Sequence, residues 1–182
     1  MIVFVLLWCF AYSFSATMEE LMDSAQPAVQ TENSPFLSVG SISTSDAIWD
    51  LQFTFNVTVA SGAAGNAGAE FDGTYYYTTR WASNLIHKYT MAGVLVEQFS
   101  IPGVSGLRDL AFDGQYMYGG AAATTIYVMD FVTKTLIGSI PSPVNVRNIA
   151  YDSDNNGLWV ADWSTNLVLV SMTGTTLATI PA

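Results

Sequence analysis

The sequence predicts an all-β chain, a partial β-propeller of about three four-stranded antiparallel blades, and three observations predict it. Marker segments recur in step: Glu70-Phe71-Asp72-Gly73 returns as Ala111-Phe112-Asp113-Gly114 and again as Ala150-Tyr151-Asp152-Ser153. The copies are about 40 residues long, since Asp72, Asp113 and Asp152 open them while Pro102, Pro141 and Pro181 close them. Between these markers lie short strands: Tyr75-Tyr76-Tyr77-Thr78, Tyr116-Met117-Tyr118-Gly119 and Leu158-Trp159-Val160-Ala161, each followed by a second apolar run near Ile86, Ile126 and Val168. A four-stranded sheet that is apolar on both faces cannot bury them alone, so it must stack on its neighbours. Helical solenoids of similar period are excluded by the strand-type alternation and by the Asp-Gly turns, which favour tight hairpins.

The propeller region is read as 47–182, with blades at about 67–102, 107–141 and 146–181. Ahead of the first blade, Leu51, Phe53, Phe55, Val57 and Val59 alternate with Gln52, Thr54, Asn56 and Thr58. That pattern predicts an extra strand over 48–60, available to complete a further blade. Residues 17–46 are acidic, Ser-rich and aperiodic, and are read as a flexible leader or linker. Residues 1–16 form one apolar block, shorter than the about 20 residues of a membrane span and suited to a signal peptide cleaved after Ser15. No Lys or Arg precedes the block, and an uncleaved anchor is the alternative. The expected location is secreted or at the cell surface, without stable membrane insertion after cleavage.

Composition narrows the function classes. Acidic residues outnumber basic ones 15 to 5, giving a net charge of −10; phosphate binding needs clustered Lys and Arg, so a nucleic-acid partner is not expected. Cys9, the single cysteine, lies in the signal segment. A mature chain would hold no disulfide, no thiolate metal site and no catalytic cysteine. His87 is the single histidine, which leaves no Ser-His-Asp set.

In a propeller the d–a connections and b–c loops share one face, where ligands usually bind. Arg108-Asp109 and Arg147-Asn148 lie in d–a connections, and Arg80-Trp81 and Asp162-Trp163 in b–c loops. The three arginines thus map to one face with two tryptophans. They form either blade-to-blade bridges or a rim for a small anion or glycan, using planar Arg forks and indole surfaces. Asp152, Asp154 and Asn156 match the first half of a calcium loop, but Trp163 stands where the closing Glu belongs. An enlarged a–b hairpin is the plainer reading, and no cofactor is expected beyond that weak calcium candidate. Asp72-Gly73 and Asp113-Gly114 are read as turns, Tyr75–Tyr77 as packing between sheets, and Asn56-Val-Thr58 as a sequon that matters only in a glycosylating host.

The run GNAGAEFDGTYYYTTRW…LIHKY…FSIPGVSGLRDLAFDGQYMYGGAAATTIYVMDF resembles the blades of NHL, SMP-30/gluconolactonase and TolB-like propellers and of quinoprotein-like repeats. More narrowly, it resembles large uncharacterised bacterial propellers secreted by the type IX route. The resemblance covers 47–182 and implies architecture rather than activity. It implies a ring of six or seven blades, so the chain is expected to be a truncated fragment whose open blade edges pair with missing blades or with another chain. An SMP-30-type lactonase would set Glu, Asn and Asp around a divalent ion, with Glu70 and Asn148 as candidates. Three functions stand at this point: a non-catalytic binding or protein-interaction propeller, which is favoured; a metal-dependent lactonase or hydrolase with part of its site in missing blades; and a structural surface or adhesion module.

Overall fold

The computed structural model describes Leu51 and residues 53–182. The signal segment, the leader and the start of the expected 48–60 strand lie outside the described residues. A compact unit begins at Phe55 and runs to the end of the chain.

Among the described residues twelve strands form three separate four-stranded sheets, each a meander in chain order. The first blade contains β1 (Asn66–Phe71), β2 (Tyr76–Arg80), β3 (Ile86–Tyr89) and β4 (Leu95–Phe99). The second contains β5 (Asp109–Phe112), β6 (Met117–Gly120), β7 (Thr125–Asp130) and β8 (Thr135–Pro141). The third contains β9 (Asn148–Asp152), β10 (Gly157–Ala161), β11 (Leu167–Ser171) and β12 (Thr176–Ile180). These are the three blades that the recurring markers predict.

Register follows from the turns. Asp72 Oδ1 accepts the backbone N–H groups of Thr74 and Tyr75, and Asp113 Oδ1 does the same for Gln115 and Tyr116. Each carboxylate thereby closes its hairpin and pins Phe71 opposite Tyr76 and Phe112 opposite Met117. Because side chains alternate across a strand, register fixes which residues face each neighbouring blade.

The core lies between the sheets. Tyr77, Ile86 and Phe99 of the first blade pack with Leu110, Met117 and Met129 of the second. Ala111, Tyr118, Ile126 and Ile140, on the other side of the second blade, pack with Ile149, Leu158, Val168 and Val170 of the third. The first strands approach most closely: a Cβ on Gly68 would stand 2.5 Å from the Asp109 Cα. Only glycine admits β5 so near to β1.

Within the stretch expected as a strand, 48–60, the described residues 53–60 form none. Phe53–Asn56 have no regular structure, and α1 (Val57–Ser61) is a single helical turn. Local caps decide this: Asn56 Oδ1 accepts the Val59 N–H, and Gly62 closes the turn at φ 66°, a left-handed position suited to glycine. The apolar alternation there belongs instead to a cap on the first blade, where Phe55 lies 6.1 Å from the Tyr76 ring and 5.5 Å from that of Tyr89. Among the described residues no helix is long and apolar enough to cross a membrane.

Candidate functional site

The connections entering each blade lie against the loops leaving each second strand. The Gly106 N–H donates to the Ser83 carbonyl at 2.8 Å, the Arg108 N–H to Gly120 at 2.7 Å, and the Arg147 N–H to Ala161 at 3.0 Å. The last two bonds occupy equivalent places in the second and third blades. Arg80, Trp81, Arg108, Asp109, Arg147, Asn148, Asp162 and Trp163 therefore all belong to one face, at the start of the first strands or the end of the second.

On that face the arginines and tryptophans form two stacked pairs. The Arg108 guanidinium lies 5.2 Å from the Trp81 ring centroid, and that of Arg147 lies 4.5 Å from Trp163, both within cation–π range. The pairs are not copies of one another. Arg108 enters the second blade and covers a tryptophan of the first, whereas Arg147 and Trp163 belong to the same blade.

Arg147 Nε also lies 2.7 Å from Asp162 Oδ1, although its N–H is poorly aligned with that oxygen. The Trp163 N–H donates to the same carboxylate, and this bond, with the nearby guanidinium, holds Asp162 below the usual carboxylate range. Trp163 is 82% exposed and Trp81 49% exposed, so each indole retains open surface. Arg80 is directed by its Nε, which donates to the Ala64 carbonyl at 2.9 Å.

Asp109 serves a different purpose. Its Oδ2 accepts the Ile149 N–H of the next blade at 3.0 Å. One blade earlier, the Glu70 carboxylate accepts the Phe71 N–H at 2.7 Å and also bonds the Phe112 backbone of the second blade. Both carboxylates are clasps between successive first strands. Burial pushes Glu70 up to about 7, with Asp109 adding a smaller repulsion, and pushes Asp109 up to about 6. Asn148 occupies the Asp109 position in the third blade and is exposed. The ion-binding candidates Glu70 and Asn148 thus lie on the first strands of the first and third blades, and β5 contacts both of those strands.

The weak calcium candidates form a hairpin. Asp152 Oδ1 accepts the Asp154 and Asn155 N–H groups, and Oδ2 accepts from the Asn155 side chain and from Trp159 Nε1. Those donors hold the carboxyl below its ordinary range, the Asn155 side chain most of all. Asn156 Oδ1 accepts from the Tyr151 hydroxyl. Among the described residues no group of three His, Cys, Asp or Glu side chains is arranged to hold a metal.

One repeated device escaped the sequence reading. Tyr77 Oη donates to Asp72 Oδ2 and Tyr118 Oη to Asp113 Oδ2, the arrangement that Trp159 reproduces on Asp152. The signal was present as an aromatic residue five positions after Asp72 and Asp113 and seven after Asp152. In the third copy the hairpin is two residues longer, and Trp159 keeps the same bond.

This geometry defines a set of propeller blades, and solved structures agree. The chain is similar to Myxococcus xanthus glutaminyl cyclase, with a TM-score of 0.54 and 18% identity over 64% of this chain and 53% of that one. It is similar to Kuenenia stuttgartiensis hydrazine synthase, with a TM-score of 0.52 and 15% identity over 65% of this chain and 36% of that one. The protein U3-55K gives a TM-score of 0.51 and 12% identity over 65% of this chain and 39% of its own. At such identities the likeness shows the fold alone. The chain spans between about a third and a half of the length of these structures. No protein-family model and no curated protein sequence matches it.

Proposed function

We propose that the chain is part of a secreted, non-catalytic binding propeller whose loop face takes a carbohydrate. The observation that carries this reading is Trp163, an indole left 82% exposed while Arg147 and Asp162 fix its surroundings. Exposing a ring of that size forgoes its burial energy, and an amphipathic aromatic surface beside polar groups is the usual form of a recognition anchor. Trp81 with Arg108 supplies a second such surface on the same face. Sugar rings present apolar C–H patches to an indole and hydroxyls to a guanidinium, so both halves of each pair are used. A free inorganic anion fits less well, because Arg147 already has Asp162 beside it. The lactonase reading draws no support from Glu70 and Asp109, whose carboxylates bond backbone N–H groups of the following blade. Secretion rests on the apolar N-terminal block of the sequence.

The test is tryptophan fluorescence and calorimetry on the purified chain with a panel of neutral and acidic oligosaccharides. Binding by at least one class is expected, with Trp163→Ala weakening it about tenfold or more, which is about 1.4 kcal/mol. Binding unaffected by both Trp163→Ala and Trp81→Ala would remove this face from consideration.

A further inference from the structure

Given the carbohydrate reading of this face, on which this rests, we infer that the subsite around Trp81 takes the oxyanion of an acidic sugar. The ligand is then an acidic glycan, such as a chain of uronic acids, and not a neutral one.

Charge separates the two Arg–Trp pairs. The position that follows the second strand holds Trp81, Ala121 and Asp162 in the three blades. In the third blade Asp162 lies 2.7 Å from Arg147 Nε and offsets its charge. In the second blade Ala121 offers no carboxylate, and the Arg108 guanidinium lies instead over Trp81 of the first blade. Arg108 Nε is buried with no hydrogen-bond partner among the described residues. Asp109, the next residue, has its Oδ2 on the Ile149 N–H of the third blade. Arg80, the residue before Trp81, donates its Nε to a backbone carbonyl, that of Ala64.

Among the described residues the ion pairs are Lys134–Glu97 and Arg147–Asp162, so neither Arg80 nor Arg108 has one. Fifteen acidic residues accompany only five basic ones in this chain, yet two of those five stand by one indole with no carboxylate paired to them. Burying part of a guanidinium without a counter-charge is costly, which favours a ligand that brings the anion.

The indole is held in place for contact. The Trp81 N–H donates to the Gly65 carbonyl at 3.3 Å, and a Cβ on Gly65 would stand 3.3 Å from Trp81 Nε1. Trp81 nevertheless keeps about half of its surface open. A uronic acid presents an apolar C–H face to such a ring, and its carboxylate matches the planar fork of an arginine. A sulfate ester would offer the same oxyanion from another substituent. At Trp163 the Asp162 carboxylate repels either group, so that subsite takes a neutral part of the same glycan.

The experiment is calorimetry on the full chain with oligomers of galacturonate, glucuronate and mannuronate, their methyl esters, and a neutral and a sulfated oligosaccharide of similar length. At least one acid should bind about fivefold or more tightly than its own methyl ester, and added salt should narrow that gap. Ala121→Asp gives Arg108 the carboxylate that Arg147 already has. It should remove the preference for acid, leave binding of the neutral sugar unchanged and keep Tm within about 3 °C. Asp162→Asn, which needs no new space, should raise affinity for the acid. Tightest binding of the sulfated oligomer assigns the oxyanion to a sulfate ester and upholds the inference. Equal binding of acids and esters, or an acid preference that survives Ala121→Asp in the folded variant, overturns it and leaves the carbohydrate reading standing. Binding of none of these sugars overturns both.

Discussion

The leading face of the first blade and the trailing face of the third are the two outer faces of the described blades, and they differ in chemistry. The leading face carries Tyr76, Thr78, His87 and Tyr89, with Thr78 Oγ1 bonded to Asn66 and within 3.2 Å of the Tyr89 hydroxyl. It is covered by Phe55 beside the turn of α1, and Tyr89 and His87 have no exposed surface. The trailing face carries Leu167, Ile180 and Trp159, with no such cover among the described residues. On the leading face Tyr76, Thr78, His87 and Tyr89 stand where the second blade has Met117, Gly119, Tyr127 and Met129, so equivalent positions take different residues according to what lies against them. The face closed by its own chain holds hydroxyls that bond one another and an imidazole whose Nε2 lies 3.0 Å from Gln98 Oε1, with its Nδ1 buried and unpaired among the described residues. The trailing face instead carries apolar residues of the interior kind.

That contrast is sharpest at one position. Ile126→Ala, in the second blade, removes a fully buried side chain and is expected to cost about 3 kcal/mol, read as a lowered midpoint in urea. The cap comes next. Phe55→Ala should cost about 2 kcal/mol and alter the near-ultraviolet circular dichroism of Tyr76 and Tyr89; an unchanged midpoint would mean that Phe55 does not close the leading face.

The clasps between first strands give a pH test in the interior, away from both ends. Glu70 titrates at about 7 in the folded chain, above its unfolded value, so its protonated form favours folding. Its contribution is present in full at acid pH and is lost as pH rises through about 7. Glu70→Gln stays neutral and should be more stable than the parent by about 2 kcal/mol at pH 8, with little difference at pH 4. Asp109 faces the same site and titrates at about 6, so the parent's decline should begin below neutrality. Equal urea midpoints for parent and variant at pH 8 would contradict the buried-clasp account. The smallest effect is expected at the open end, where Leu167→Ala, the counterpart of Ile126→Ala, should cost under about 0.5 kcal/mol. A cost approaching that of Ile126→Ala would show that the trailing face is already covered in solution.

Much of this architecture could be read from residue order. The turn aspartates, the aromatic second strands and the closing Ile-Pro pairs marked three blades, and their spacing assigned the arginines and tryptophans to one face. The role of Asp109 was less accessible, because Arg108-Asp109 and Arg147-Asn148 look alike in sequence. Only packing separates a carboxylate buried against Ile149 from an exposed amide. The pairing of Arg108 with the tryptophan of the preceding blade, and of Arg147 with that of its own, likewise depends on side-chain reach across a gap that spacing does not encode.

Sequence by itself determined the repeat, the four strands of each blade and the places of the hairpin turns, because these rest on alternation and on bonds between an aspartate and amides two or three residues away. Tertiary structure decided the fate of Phe53–Val59, whose alternation suits a strand only if another strand lies beside it. Here Asn56 and Gly62 close a helical turn, and Phe55 finds Tyr76 and Tyr89 more than twenty residues ahead in the chain. The same holds for the difference between Ile126 and Leu167: one hydrophobic position in one repeat is core or surface according to which neighbour stands against it.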